Sequence, residues 1–194
     1  MHPSSQLVLT KFDVAERQLH QAIQLFFDGG DPVSIHTIAE AAAQILYDTR
    51  SQYGAESKIR DSDIIKPEYK KEWMISLAKS KNFFKHADRD PSEVHEFKEE
   101  FNHFSILDAV NMYLTAKRQW TPETITFVQW YAVTYPALVK ANTEFAGLMD
   151  RYRADSNHDA TAYKALCARA ISELRSLSRA IPGVTLSPGA PSDA

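Results

Sequence analysis

The chain has 194 residues, 44% of them hydrophobic and 24% charged, with six glycines, one cysteine and a formal net charge of −3. That length suits one domain with an apolar core, and the composition excludes collagen-like and wholly disordered classes. The acidic balance gives no global positive field for nucleic acid, the lone Cys167 excludes a disulfide framework, and no apolar run reaches the roughly 18 residues that span a bilayer. A reducing cytoplasm with no membrane partner is the expected setting.

Residues 1–11 and 182–194, rich in Pro, Ser, Gly and Asp, read as flexible ends around one helical domain over 12–181. The first helix is expected from Asp13, capped by that side chain with Glu16 reciprocating, along the stripe Ala15, Leu19, Ala22, Ile23 and Phe26. Gly29-Gly30 stops it. Asp31-Pro32 opens a second helix, striped by Ile35, Ile38, Ala39, Ala42, Ile45 and Leu46, that runs to Gly54. Residues 55–66 read as a polar connection. Pro67 opens a third helix with Trp73, Leu77, Ser80 and Phe84 on its core side, and Pro91 lies just beyond its end. A fourth covers 99–117. The fifth runs from the Thr121-Pro122 cap to Thr134, apolar on most faces and so expected in the middle of the bundle. A sixth is striped by Leu138, Asn142, Phe145, Met149 and Tyr152, and a last one by Tyr163, Leu166, Ala170, Leu174, Leu177 and Ile181. The short alternation Glu93–Phe97 cannot make a sheet alone. The fold class is therefore all-α, a single bundle of about six or seven helices.

The most unusual stretch is KSKNFFKHADRD, residues 79–90. With Trp73, Leu77, Ser80 and Phe84 inward, helical geometry turns Lys79, Asn82 and His86 outward together with Ile75, and puts Lys81 and Lys85 on a flank. Residues 55–89 hold nine Lys or Arg against six Asp or Glu, a local excess in an acidic chain that suits an RNA backbone. Phe83 offers an aromatic surface to a base. A solvated cationic face is the plain alternative.

On such a helix, Lys81-Asn82-Phe83-Phe84-Lys85-His86 resembles the signature of HEPN domains: Arg, often a polar residue such as Asn, then His after about four to six further positions. The resemblance implies a helical bundle that dimerises so that two motifs face each other. In many members it also implies a metal-independent endoribonuclease of toxin–antitoxin, phage-defence or RNA-processing type, with an antitoxin as a protein partner. Transferred to this chain, His86 would move the proton of the ribose 2′-hydroxyl or of the leaving 5′-oxygen, and Asn82 would orient the imidazole or the phosphate. Lys81 would stabilise the phosphorane charge, and Lys79, Lys85 and Arg89 would hold the RNA backbone. A 2′,3′-cyclic phosphate would form with no metal and no cofactor. Lys81 departs from the family's Arg, a point charge in place of a planar fork. The same basic-to-His spacing recurs at Lys98…His103 and Arg153…His158, and Arg89…His95 fits a longer form, but only Lys81 is followed by Asn on a clear helical pattern. The alternative function is a non-catalytic helical adaptor whose same face binds a protein.

Other constellations read as structural. Glu100 and His103 have the Glu-x-x-His spacing of di-iron bundles, but no second pair exists, and His103 reads as a hydrogen-bonded core histidine. Glu16…His20 and His36…Glu40 are four apart and suit chelation or simple pairing. Cys167 reads as a buried, inert thiol. The aromatic group Trp120, Phe127, Trp130, Tyr131 and Tyr135 reads as core. No Gly-rich phosphate loop, GxSxG elbow or HExxH occurs.

Overall fold

Thr10, not Asp13, opens the first helix. The computed structural model describes residues 6–63, 65–89, 91–138 and 160–180, and in it α1 spans Lys11–Phe27. The Asp13 N–H donates to Thr10 Oγ1 at 3.1 Å and the Thr10 N–H donates back to Asp13 Oδ2 at 2.8 Å, a reciprocal box one turn earlier than expected. Glu16 is thereby released to accept the Tyr113 hydroxyl at 2.6 Å. Past the helix end, Gly29 sits at φ +71°, a conformation that costs glycine nothing. Asp31 then caps α2 (Pro32–Asp48) by accepting the Ser34 N–H at 2.7 Å.

Ala15, Ala22, Ala39, Ala42 and Ala43 are all fully buried, and these small side chains let α1 and α2 pack closely along their lengths. The second helix does not run to Gly54. It breaks at Thr49, whose hydroxyl donates to the Ile45 carbonyl at 2.7 Å, and a single turn α3 (Arg50–Tyr53) follows. Pro67–Tyr69 forms a 3₁₀ turn before α4 (Lys70–Lys85). Then come α5 (Phe101–Lys117), α6 (Pro122–Thr134), a 3₁₀ turn at Pro136–Leu138 and α7 (Ala160–Ala180). The fold is all-α, and no strand occurs among the described residues. The expected sixth helix, the outer termini, Ile181 and the Arg153…His158 pair lie outside the described residues.

Helix α1 touches α2, α5, α6 and α7, and none of residues 122–133 of α6 is exposed, as its all-round hydrophobicity requires. The aromatic group does pack in the core: Phe26 meets Phe127 and Trp130 edge to face, and the Tyr131 ring lies tilted beside that of Tyr135. Against this wall His103 accepts or donates at Nδ1 to the Tyr135 hydroxyl, 2.6 Å away. Burial and the neighbouring Lys164 cation push its pKa down to about 4.

The buried face of α7 differs from the expected one. Cys167 and Ile171 are buried, whereas Leu166 and Leu177 are exposed. Two cations set that rotation: Lys164 Nζ lies 3.9 Å above the Phe26 ring, and Arg175 Nε donates to the buried Glu123 at 2.6 Å. Burial raises the Cys167 thiol to about 11. Native protein at pH 8 should therefore resist a disulfide reagent such as DTNB and react fully once unfolded; rapid labelling of the native state would contradict this packing. Among the described residues no helix is long and apolar enough to cross a membrane.

Candidate functional site

A charged residue on an apolar stripe needs partners, and the chain provides two such residues, Glu40 among the alanines of α2 and Asp108 in the apolar arc of α5. Both are buried, and Arg60 joins them from the 55–66 connection, 5% exposed. Its Nη2 donates to Glu40 Oε2 and its Nε to Asp108 Oδ2, each at 3.0 Å. Ser57 completes the set, donating to Asp108 Oδ1 at 2.6 Å and accepting the Arg60 N–H at 2.8 Å. Burial works against the Arg60 charge, but Glu40 and Asp108 outweigh it and raise its pKa. Burial raises that of Asp108, against the pull of Ser57 and Arg60. The polar connection is thus anchored in the interior by Ser57 and Arg60.

Lys81 belongs to this cluster. It is buried, its Nζ donates to Gln44 Oε1 at 2.7 Å and lies 4.0 Å from Glu40 Oε2, and burial lowers its pKa. The expected flank position is corrected: Lys81 stands four residues after Leu77 and three before Phe84, which puts it on the inward arc of α4. The structure therefore does not bring Lys81 together with His86.

The remaining predicted residues do share the outer side. Lys79, Asn82, Lys85 and Arg89 are exposed, His86 is half-buried, and Ile75 is 60% exposed. His86 is the first residue past α4. Its N–H still donates to the Asn82 carbonyl at 3.0 Å, but its backbone has left the helix at φ −121°, ψ 62°. The Arg89 N–H donates to the His86 carbonyl at 3.0 Å, so a tight turn carries Arg89 beside the helix end. Phe83 is half-buried, its ring centroid 5.0 Å from that of His95, and His95 Nε2 is 2.8 Å from Ser80 Oγ.

Behind α4, between α2, α5 and the connection, lies a cavity of about 500 Å³ that opens to solvent beside the exposed Phe101 and Phe104. Ile59, Ile65, Trp73, Leu77, Phe101 and Phe104 make its apolar wall, and Glu40, Arg60 and Asp108 stand at its polar side. The Trp73 indole N–H donates to the Ile59 carbonyl at 2.9 Å, tying helix to connection. His36 and Glu40, a pairing or chelating candidate from their spacing, both border this space but face different partners: His36 Nδ1 is 3.1 Å from Asn102 Oδ1, and Glu40 takes Arg60. A wider hollow of about 790 Å³ over residues 50–63 is lined mostly by exposed polar groups and is shallow by comparison. Among the described residues no group of three His, Cys, Asp or Glu gathers as a metal site would need.

Of the cluster, Glu40 and Asp108 carried a sequence signal, a charge on an apolar stripe. Arg60 carried none, because an irregular connection has no period to break. Comparison with family models, with curated proteins and with solved structures finds no match to this chain.

Proposed function

We propose that the outer side of α4 and the turn after it form an RNA-binding surface of a HEPN-like, homodimeric cytoplasmic protein. One observation carries the reading. Lys79, Lys85 and Arg89 are exposed with no ion pair among the described residues, beside Asn82 and His86, while the chain as a whole is acidic. Uncompensated cations on the last turns of α4 and the turn beyond it attract phosphates without reading sequence. The chain's other charges are largely of mixed sign.

The inward turn of Lys81 shapes the chemistry. Attack of a ribose 2′-oxygen on phosphorus, with the 5′-oxygen leaving as its alcohol, needs a proton acceptor, a proton donor and a cation near the phosphorane. His86 serves the proton transfers in this reading, and the cation is Lys85 or Arg89, from the same copy or from its twin. Binding does not depend on that step. In the adaptor reading the same side, with Ile75 at its centre, takes a protein instead.

Fluorescence anisotropy with a single-stranded RNA oligonucleotide in EDTA tests the proposal. Replacing Lys79, Lys85 and Arg89 together by glutamate should abolish binding at low salt. Charge-neutralising all three with glutamine should lower the log–log salt slope by about 2. His86→Ala should keep the affinity and remove any cyclic-phosphate product. Absence of wild-type binding at low salt, or binding unaffected by charge reversal, would overturn the RNA reading.

A further inference from the structure

The cavity behind α4 is a second feature, independent of the outer cationic side, and two of its charged lining groups keep unused hydrogen-bonding capacity. Glu40 and Arg60 are 4% and 5% exposed, and this cavity is the space that both of them line. Glu40 accepts the Arg60 Nη2 N–H with Oε2, at 3.0 Å, and its Oε1 has no hydrogen-bond partner among the described residues. Arg60 donates through Nε to Asp108 and through Nη2 to Glu40, which leaves both N–H groups of Nη1 without an acceptor there. The unpartnered side-chain atoms sealed inside the described fold are Gln18 Oε1, His36 Nε2 and Thr126 Oγ1. Glu40 Oε1 and Arg60 Nη1 are not among them and so keep accessible surface. Polar atoms this deep seldom go unpaired, and one free acceptor beside one free donor is complementary to a guest with the converse pair.

The charges restrict the guest further. In the interior Glu40 and Asp108 pair with Arg60, and Lys81, which does not line the cavity, lies 4.0 Å from Glu40 Oε2. The exposed Lys58 does line it and pairs with Glu56 Oε2 at 3.1 Å. Each set is balanced, so a charged guest would bring in a charge with no counterion. Trp73, Leu77, Phe101 and Phe104 supply apolar and aromatic lining that suits a flat ring system, and a volume of about 500 Å³ suits a single small molecule.

We propose that this cavity binds an uncharged planar heterocycle in which a ring N–H stands beside a carbonyl, a cyclic amide of nucleobase size. The ring N–H donates to Glu40 Oε1, and the carbonyl accepts from Arg60 Nη1. The two side chains are held together by their own 3.0 Å bond, so their free atoms are neighbours, as the adjacent N–H and C=O of such a ring require. The flat remainder of the guest lies among Trp73, Leu77 and Phe104. Neither the RNA surface nor a second copy of the chain is required for this. The site also gives the buried end of the 55–66 connection a task, since Ser57 and Asp108 fix the guanidinium that receives the carbonyl.

Isothermal titration of the full chain with four probes tests this. They are 2-quinolone, which carries both groups, its N-methyl derivative, which lacks the N–H, naphthalene, which lacks both, and the anion quinoline-2-carboxylate. Saturable 2-quinolone binding is expected, with the N-methyl derivative at least about tenfold weaker, naphthalene weaker still and no binding of the anion. Glu40→Gln, whose oxygen stays on Arg60, places an amide N–H where Oε1 stood and should bring 2-quinolone and its N-methyl derivative to about equal affinity. Should that variant unfold, Leu77→Trp, which fills the cavity and keeps every polar group, should abolish 2-quinolone binding with the helical circular dichroism intact. Equal wild-type affinity for 2-quinolone and its N-methyl derivative, a preference that survives Glu40→Gln, binding that survives Leu77→Trp, tighter binding of the anion, or no saturable binding would each overturn the proposal.

Discussion

Replacing Arg60 by alanine is expected to lower the unfolding free energy by about 3–5 kcal/mol, one of the two largest effects in the molecule. The guanidinium is the shared partner of Glu40 and Asp108, both inside the protein. Removing it strands two carboxylates away from water, and the penalty is that of uncompensated charge rather than of two lost hydrogen bonds. Replacing the whole set tells these apart. A Glu40→Met, Arg60→Met, Lys81→Met, Asp108→Leu variant removes the charges together with their desolvation cost, and its stability should lie within about 1 kcal/mol of the wild type or above it. Urea unfolding followed by circular dichroism reads both. A loss below about 1 kcal/mol for the single variant would mean that the connection is not anchored as described.

Acid should weaken the fold from about pH 6.5 downward. His103 lies against Phe26 and Trp130 with its pKa pushed down to about 4 by burial and Lys164. His20 and His36 are lowered too, each mainly by burial. In the unfolded chain all three return to about 6.5. Between pH 6.5 and 4 the unfolded state then binds more protons, so stability is complete above about 6.5 and falls as pH drops toward 4. For His103 a shift of that size corresponds to about 3 kcal/mol, reduced to about 2 because the ring keeps some contact with solvent. His103→Phe should flatten the fall of stability across this window. Glu123, held low by His20 and Arg175 against its burial, adds a loss in the same direction at lower pH, and the raised Asp108 opposes it there. A stability that stays level from pH 7 to 4.5 would contradict the buried, neutral state of these rings.

The helices were legible because their ends carry local chemistry. Asp31-Pro32 and Thr121-Pro122 each combine a capping side chain with a residue that has no N–H to lose, and both open helices where expected. Thr10 and Asp13 show the limit of the same signal, since either residue of a reciprocal box can be taken for the cap. Lys81 lies inward rather than on a flank. Counted from Leu77 and Phe84 it belongs to the inward arc, and only a buried acid on another helix makes that tolerable. The connection and α7 were hidden for a related reason. Arg60, Lys164 and Arg175 all use buried or half-buried partners far away in sequence, and long-range charge pairing leaves no period to follow. Polar groups that hold this fold together look, in one dimension, like solvent-facing ones.

The division of α4 into an inward lysine and outward ones is the claim on which the functional account turns. The most direct measurement is the RNA affinity of Lys81→Gln beside that of Lys85→Gln, at one low salt concentration. The account predicts that Lys85→Gln weakens binding severalfold, whereas Lys81→Gln binds as the wild type does and differs only in its lower melting temperature. Loss of RNA affinity in Lys81→Gln with Lys85→Gln unaffected would contradict it.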